Sequence, residues 1–203
     1  TIDTNSAFIA RELNKIGIWV KRRIAIGDKR EDILEAMNSQ CRDCSLIIIT
    51  GGLGPTADDI TKPVLCEYFD CDLAVDEGAL QNVKDIFTKL NRPMIERNLK
   101  QAEVPSKCIV LPNERGTAPG MWFEKDGVIY ISMPGVPNEM KGLLTDSVIP
   151  KLKGQLTLPV VVHRTLLASG VGESMLAEEL KEFENKLPSN TKLAYLPAYG
   201  MVR

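Results

Sequence analysis

The stretch Ser45-Leu46-Ile47-Ile48-Ile49-Thr50-Gly51-Gly52-Leu53-Gly54-Pro55-Thr56-Ala57-Asp58-Asp59 decides the fold. Its first six residues are short, β-branched and apolar, as a central strand covered on both faces requires. A glycine loop follows at once, and Thr61-Lys62-Pro63 supplies an N-cap and an early-turn proline for a helix. A buried strand feeding a loop and a helix is half of a βαβ unit. The expected class is therefore α/β, a mostly parallel sheet sandwiched by helices.

Upstream, Ile9, Leu13 and Ile16 fall on one helical stripe, and Gly17 sits where a left-handed C-cap ends that helix. Residues 18–26 alternate apolar and basic side chains and predict a strand with a basic outer face. Gly27-Asp28 then turns into a helix with Ile33, Met37, Cys41 and Cys44 inward. Downstream, Asp76-Glu77 opens a helix with Leu80, Val83, Phe87 and Leu90 inward. Arg92-Pro93 breaks it before a short helix through Asn98, Lys100 and Gln101. Strands are expected at residues 108–111, 121–123 and 128–132, the last two joined by the hairpin signal Lys125-Asp126-Gly127. Met133-Pro134-Gly135-Val136-Pro137 leads into a last helix near residues 138–144.

The alternation ends in a polar stretch at residues 151–159, which places a first domain at residues 1–153 and a second at residues 158–203. The second reads as a small α+β segment, with strands at 160–167 and 192–196 around a helix at 175–187. At 203 residues, against roughly 150 for an average domain, the length agrees with one domain and a remainder.

Composition excludes several classes. Lys and Arg number 25 against 27 Asp and Glu, so no overall basic field exists to hold a nucleic-acid backbone or an anionic membrane. The longest aliphatic run, residues 46–49, is far shorter than the roughly 18 apolar residues of a membrane span. The single histidine, His163, rules out multi-His metal sites, and without a G-x-S-x-G elbow it reads as structural. Five cysteines at 41, 44, 66, 71 and 108 form no disulfide framework, so reduced thiols and a cytoplasmic location are expected. Cys41-Arg42-Asp43-Cys44 has redox spacing but closes a helix, where the dipole raises a thiol pKa. The chain opens Thr1-Ile2-Asp3 without an initiator Met, and a start further upstream is expected.

The sharpest chemical feature is the loop of residues 50–59. Its three glycines allow backbone N–H groups to form a nest for phosphate oxygens beside a helix N-terminus, at the carboxyl end of a strand where α/β sheets bind ligands. The competing reading is a tight turn that needs positive φ. Asp58 and Asp59 are the hard ligands that Mg²⁺ or Mn²⁺ uses to bridge protein and pyrophosphate, or one of them caps the next helix. Asp28 either converges on the same pocket or caps its own helix. Glu139 is a metal ligand, a base, or an acid favoured in a first helical turn. Gly116-Thr117-Ala118-Pro119-Gly120 brings backbone close to a ligand or simply connects a hairpin. Lys100 is a cation beside the pocket or part of a solvated face.

Five ordered motifs now carry a family resemblance: Asp3-Thr4-Asn5-Ser6, residues 50–59, Arg97-Asn98-Leu99-Lys100-Gln101-Ala102, Gly116 to Gly120, and Met133-Pro134-Gly135-Val136-Pro137-Asn138-Glu139-Met140. In order and spacing they resemble the N-terminal domain of competence-damage-inducible CinA proteins, and the tail with Gly170-Val171-Gly172-Glu173-Ser174 is similar to the KH-type domain that follows there. The resemblance implies a molybdopterin-binding-like α/β fold and a homo-oligomer, taken as a dimer. It also implies metal-dependent hydrolysis of ADP-ribose, a small-molecule nucleotide, to AMP and ribose 5-phosphate with Mg²⁺, Mn²⁺ or Co²⁺. By position, Gly51, Gly52, Gly54 and Thr56 would hold the pyrophosphate, with Thr50, Asn5, Gly116, Thr117, Gly135, Pro137 and Glu139 lining the pocket. Asp59 and Asp28 would be the catalytic carboxylates, Asp58 and Asp59 the metal ligands, and Lys100 the neutralising cation.

The chain departs from that pattern in places. Molybdopterin-binding relatives usually carry Thr where Leu53 stands and Arg-Asp where this chain has Asp58-Asp59, which weakens pterin binding as a reading. The family's first strand and Gly-Asp/Glu turn, upstream of Asp3, do not appear, nor does the nicotinamide-nucleotide amidase domain of many members. The alternatives carried forward are a non-catalytic nucleotide- or pterin-binding scaffold and an adenylyl transfer to a pterin.

Overall fold

The computed structural model describes residues 2–203, which divide into two units between Val161 and Val162. In the first, helices α1 (Thr4–Lys15) and α2 (Arg30–Gln40) precede strand β1 (Leu46–Thr50) and helix α3 (Thr61–Phe69). Then come β2 (Leu73–Val75), α4 (Glu77–Lys89), α5 (Glu96–Leu99), a 3₁₀ turn (Lys100–Ala102) and β3 (Glu103–Pro105). Strands β4 (Ile109–Leu111), β5 (Gly120–Lys125) and β6 (Val128–Met133) follow. They lead to α6 (Pro137–Gly142), a π-helical segment (Leu143–Val148) and α7 (Ile149–Gln155).

The main sheet has the order β1-β6-β5-β4, and β2 pairs with β3 in a separate antiparallel ribbon. The α/β class with helices on both faces holds, but the sheet is mixed. β1 runs parallel to β6, Leu46 opposite Ile129 through Thr50 opposite Met133, whereas β6-β5 and β5-β4 are antiparallel. The physical reason is connection length: the tight turn between Lys125 and Val128 and the short link from β4 to β5 leave no room for a helical crossover.

Side-chain alternation along the strands builds two cores. Met121 and Phe123 of β5 and Val128 and Tyr130 of β6 face α2 and α3, meeting Ile33, Met37, Leu65 and Phe69. Phe69 stacks on Phe123 at 4.1 Å between ring centroids, and the hydroxyls of Tyr68 and Tyr130 lie 2.9 Å apart. Trp122, Ile131 and Met133 point the other way, against Ile9 and Leu13 of α1 and Met140, Leu143, Val148 and Leu152 of the α6-to-α7 run.

The expected strand at residues 18–26 does not form. The segment pairs with no strand: Trp19 is 81% exposed, and the segment's ties run through Lys21 and Arg22 to Asp43 and Gln40 at and just beyond the end of α2. An open cavity of about 840 Å³ is lined by this segment, by β1, and by α1 and α2. With that space beside it, alternation has no neighbouring backbone to ladder with, and strand formation requires one. The β2-β3 ribbon, by contrast, was not legible as strands, each being three residues long. Helix α2 also stops at Gln40, so Cys44 lies beyond it.

The second unit contains β7 (Ala168–Ser169), α8 (Glu173–Asn185), β8 (Pro197–Ala198) and β9 (Met201–Val202), in an antiparallel sheet ordered β7-β9-β8. The strands expected at 160–167 and 192–196 do not form: pairing begins just after each, at Ala168–Ser169 and Pro197–Ala198, where the two residues of β9 supply the partner backbone. Among the described residues no helix is long and apolar enough to cross a membrane.

Replacing Leu65, fully buried under the sheet, by Ala is expected to lower stability by about 2–5 kcal/mol, whereas Leu90→Ala, 56% exposed at the end of α4, changes it by less than about 0.5. Urea denaturation of both variants checks this ordering.

Candidate functional site

Because β1 and β6 are parallel, both chains leave the sheet at the same end. Gly51 N–H continues the ladder by donating to the Met133 carbonyl at 2.9 Å, and a Cβ on Gly135 would come within 3.3 Å of the Gly51 Cα. The two glycine turns therefore stack backbone on backbone. Asn5, in the first turn of α1, donates its amide to the Gly135 carbonyl at 2.8 Å, while its Oδ1 is buried without a hydrogen-bond partner. Asn5, Thr50, Gly51 and Gly135 are thus one constellation drawn from three distant segments.

The glycine loop is organised from within. Thr61, read as a helix N-cap, instead donates its hydroxyl to the Gly51 carbonyl at 3.1 Å, and its N–H bonds the Gly52 carbonyl. Ile60 occupies the cap position, so neither Asp58 nor Asp59 caps α3. Asp59 turns back into the loop: its Oδ2 accepts from the Thr56 amide at 3.1 Å and from the Thr56 hydroxyl. A Cβ on Gly54 would lie 2.5 Å from that same oxygen, so only glycine admits the carboxylate. Burial works against the charged form of Asp59. The Thr56 hydroxyl and amide, the Gly54 amide and the nearby Lys62 cation outweigh it and hold the carboxyl below its ordinary value. Asp58 is exposed beside it.

A second set of contacts fixes the loop of residues 113–120. Asn82 on α4 donates to the carbonyls of Asn113 and Gly116, and Asn113 donates to the Ala118 carbonyl and to Glu139 Oε2 at 2.8 Å. A Cβ on Gly116 would sit 2.1 Å from the Glu139 carboxylate, so Gly116 is small to let that carboxylate in. Burial pushes the Glu139 carboxyl up, with Asn113 opposing. Arg115 pairs with Asp146 at 3.0 Å, the π-helical segment bringing that aspartate under the loop.

The cation beside Asp59 is Lys62, which in the sequence marks only the start of a helix. It is 7% exposed, and its Nζ donates to the carbonyls of Gln101 at 3.0 Å and Glu103 at 2.7 Å. The Gln101 side chain in turn accepts from the Thr117 hydroxyl. Burial lowers the Lys62 amine to about 8, against the opposing pull of Glu103, Cys108 and Asp59. The signal was present: Lys62, Leu65, Cys66 and Phe69 occupy one buried stripe of α3, and a lysine heading an apolar stripe calls for internal partners. Asn82 and Asn113 carried no such signal.

Other expected site residues lie apart from these contacts. Lys100 is exposed at the start of the 3₁₀ turn, Asp28 is exposed in the bend before α2, and Pro137 is exposed at the first position of α6. Among the described residues no group of three or more His, Cys, Asp or Glu side chains converges as in an all-protein metal cage. Asp58 and Asp59 suit a different arrangement, in which one or two carboxylates share an ion with substrate phosphates.

An α/β sheet with glycine turns stacked at the carboxyl ends of β1 and β6 defines a ligand-binding domain of the molybdopterin-cofactor type, and residues 1–154 match the family model described as a probable molybdopterin binding domain. The crystal structure of the protein CinA, of unknown function, from Thermoplasma acidophilum is 34% identical, with a TM-score of 0.65 over 74% of this chain and 88% of that one. The chain belongs to the probable molybdopterin binding domain family, in its CinA-like branch. Among curated relatives, a CinA-like protein of Flavobacterium psychrophilum is 50% identical over the whole chain and 49% of its own length. A putative competence-damage inducible protein of Clostridioides difficile is 39% identical over 96% of this chain and 46% of its own. The chain thus spans about half the length of the curated relatives it matches. A molybdenum cofactor biosynthesis protein B, 16% identical with a TM-score of 0.50, shares the fold.

The Lys62 amine gives a pH signature. Between its folded value of about 8 and its ordinary 10.5, the unfolded chain holds a proton that the folded chain has released, so this group makes stability rise with pH. The stability difference between the wild type and Lys62→Met is expected to move in favour of the wild type by about 2–3 kcal/mol from about pH 7 to pH 10. Thiols raised by burial, Cys66 to about 11 and Cys108 to about 12, act in the opposite sense but are present in both proteins. A difference that stays flat in urea titrations across that range would contradict the assignment.

Proposed function

We propose that the pocket at the carboxyl ends of β1 and β6 binds a phosphorylated nucleotide or pterin, as the binding domain of a longer CinA-type protein. We infer further that, with a divalent ion, it hydrolyses ADP-ribose to AMP and ribose 5-phosphate. The observation that carries the binding reading is the stacking of Gly51 on Gly135. It brings two glycine turns together at the carboxyl ends of β1 and β6, the end at which α/β sheets bind ligands. Asn5 Oδ1, an unsatisfied acceptor next to Gly135, fits a hydroxyl or N–H donor on the ligand.

The hydrolytic step rests on Asp58 and Asp59. A divalent ion held there supplies charge neutralisation for the pyrophosphate and a polarised water. Water oxygen forms the new bond to one phosphorus and gives up a proton to solvent, the bridging P–O bond breaks, and the departing phosphate keeps the electron pair. Asp59, kept ionised by Thr56 and Gly54, orients the acidic side of the pocket, and loop amides other than those two would hold non-bridging oxygens. Lys100, exposed on the adjoining turn, is the cation proposed to meet the outer phosphate. The pterin alternative draws on the description of the family model.

Incubating the protein with ADP-ribose and Mg²⁺, Mn²⁺ or Co²⁺ is expected to release AMP, with turnover lost on adding chelator. Asp59→Asn, which keeps the loop's shape but halves its carboxylate character, is expected to lower turnover at least about 100-fold while the melting transition stays in place. If no metal supports AMP release yet calorimetry detects ADP-ribose binding, the domain is a binding module and the hydrolase reading falls.

A further inference from the structure

We propose that Lys62 is a positioning residue that locks the glycine loop to residues 100–103 and, through Gln101, to the Thr117 loop, so that three walls of the candidate site form and open as one unit. The proposal deepens the nucleotide-site reading and rests on it for its meaning, not for its geometry.

Lys62 is an expensive residue where it stands. It heads a stripe whose other members, Leu65, Cys66 and Phe69, are apolar and buried, and an apolar side chain would continue that stripe without desolvating a charge. It occupies the second position of α3, where the positive end of the helix dipole disfavours a cation. Among the described residues no carboxylate lies within 4.0 Å of its Nζ to offset this as an ion pair. Its compensation is geometric: two of its three N–H donors reach carbonyls 39 and 41 residues further along the chain.

The first of those carbonyls is Gln101's own, in the turn of residues 100–102; Gln101 is itself 7% exposed, and its side chain receives the Thr117 hydroxyl. On its other side, Lys62 follows directly on Thr61, whose hydroxyl and amide hold the Gly51 and Gly52 carbonyls. The anion loop, held by Thr61, and the motif of residues 116–120, held by Gln101, are thus joined through the two bonds of the Lys62 side chain. A point charge on a flexible stem suits this task, since it can satisfy two carbonyls that do not share a plane.

Amide hydrogen exchange of the ligand-free protein, with no assumption about substrate, provides the first reading. Lys62→Met keeps the volume and removes the donors. It is expected to keep a cooperative melting transition and to raise exchange about tenfold or more at residues 51–59, 100–104 and 116–120 together, while Lys62→Arg retains most of the protection. Gln101→Leu, which cuts the link to Thr117 and leaves the Lys62 bonds, is expected to loosen only residues 116–120, and it decides the question if Lys62→Met fails to fold. Exchange that rises only in the first turn of α3 in Lys62→Met, or that stays unchanged at residues 116–120 in Gln101→Leu, overturns the coupling.

The second reading uses ADP-ribose with Mg²⁺. Lys62→Met is expected to weaken binding about tenfold, and Lys62→Arg to recover most of it. Equal affinity in wild type and Lys62→Met would sink the functional part of the proposal. A wild type that binds no ADP-ribose at all would count against the nucleotide reading and leave the exchange result to judge Lys62.

Discussion

Parallel pairing of β1 with β6, in the register that sets Thr50 against Met133, forces both chains to leave the sheet at one end and begin their turns side by side. Gly51 extends the ladder by one more bond, and a Cβ on Gly135 would lie only 3.3 Å from the Gly51 Cα. A one-residue slip would turn Ile131 and Met133 from one core to the other and separate the turns at the same time. Two cores of opposite parity therefore protect the site's geometry, and it inherits its precision from burial on both faces of the sheet.

Given that frame, the loops are held by polar contacts at positions where a methyl group would not fit. Asp59 enters the space left open by Gly54, and Glu139 that left by Gly116. Each glycine is thus the counterpart of a particular carboxylate. Both carboxylates are anchored by neutral donors, Thr56 and Asn113, and not by surface ion pairs, whose geometry is loosely held and screened by salt.

The strand 46–50, the glycine loop, the helix stripes and the 125–127 hairpin were legible because each depends on local periodicity or turn chemistry. The short ribbon of Leu73–Val75 with Glu103–Pro105 was not, since its pairing joins segments about thirty residues apart and each strand is too short for a period to declare itself. Residues 18–26 have the period of a strand, but period reports amphipathicity and not the presence of a neighbour. The same limit applies at the site. The loop could be read as an anion nest from its glycines, but that its own Asp59 takes the Thr56 and Gly54 donors depends on φ and ψ at each residue. Asn82 and Asn113 are invisible for another reason: an asparagine in a helix or loop has no distinguishing neighbours until tertiary structure supplies two carbonyls for it.

The internal anion changes the electrostatics expected of the loop. A bare nest would attract phosphate unaided, but here a ligand's oxygens would approach an ionised Asp59 with Asp58 next to it in sequence, and like charges repel more strongly as water is excluded. Lys62 offers only partial relief, because burial lowers its amine to about 8 and its donors are already committed to carbonyls. With a net charge of −2 the protein supplies no long-range positive field either. An anionic ligand in this pocket would therefore gain from counter-charge beyond what Lys62 and the proposed Lys100 contact supply. A mobile cation that both aspartates and the phosphates can share meets that need with the least desolvation, which is the electrostatic reason for including a divalent ion in the proposed chemistry.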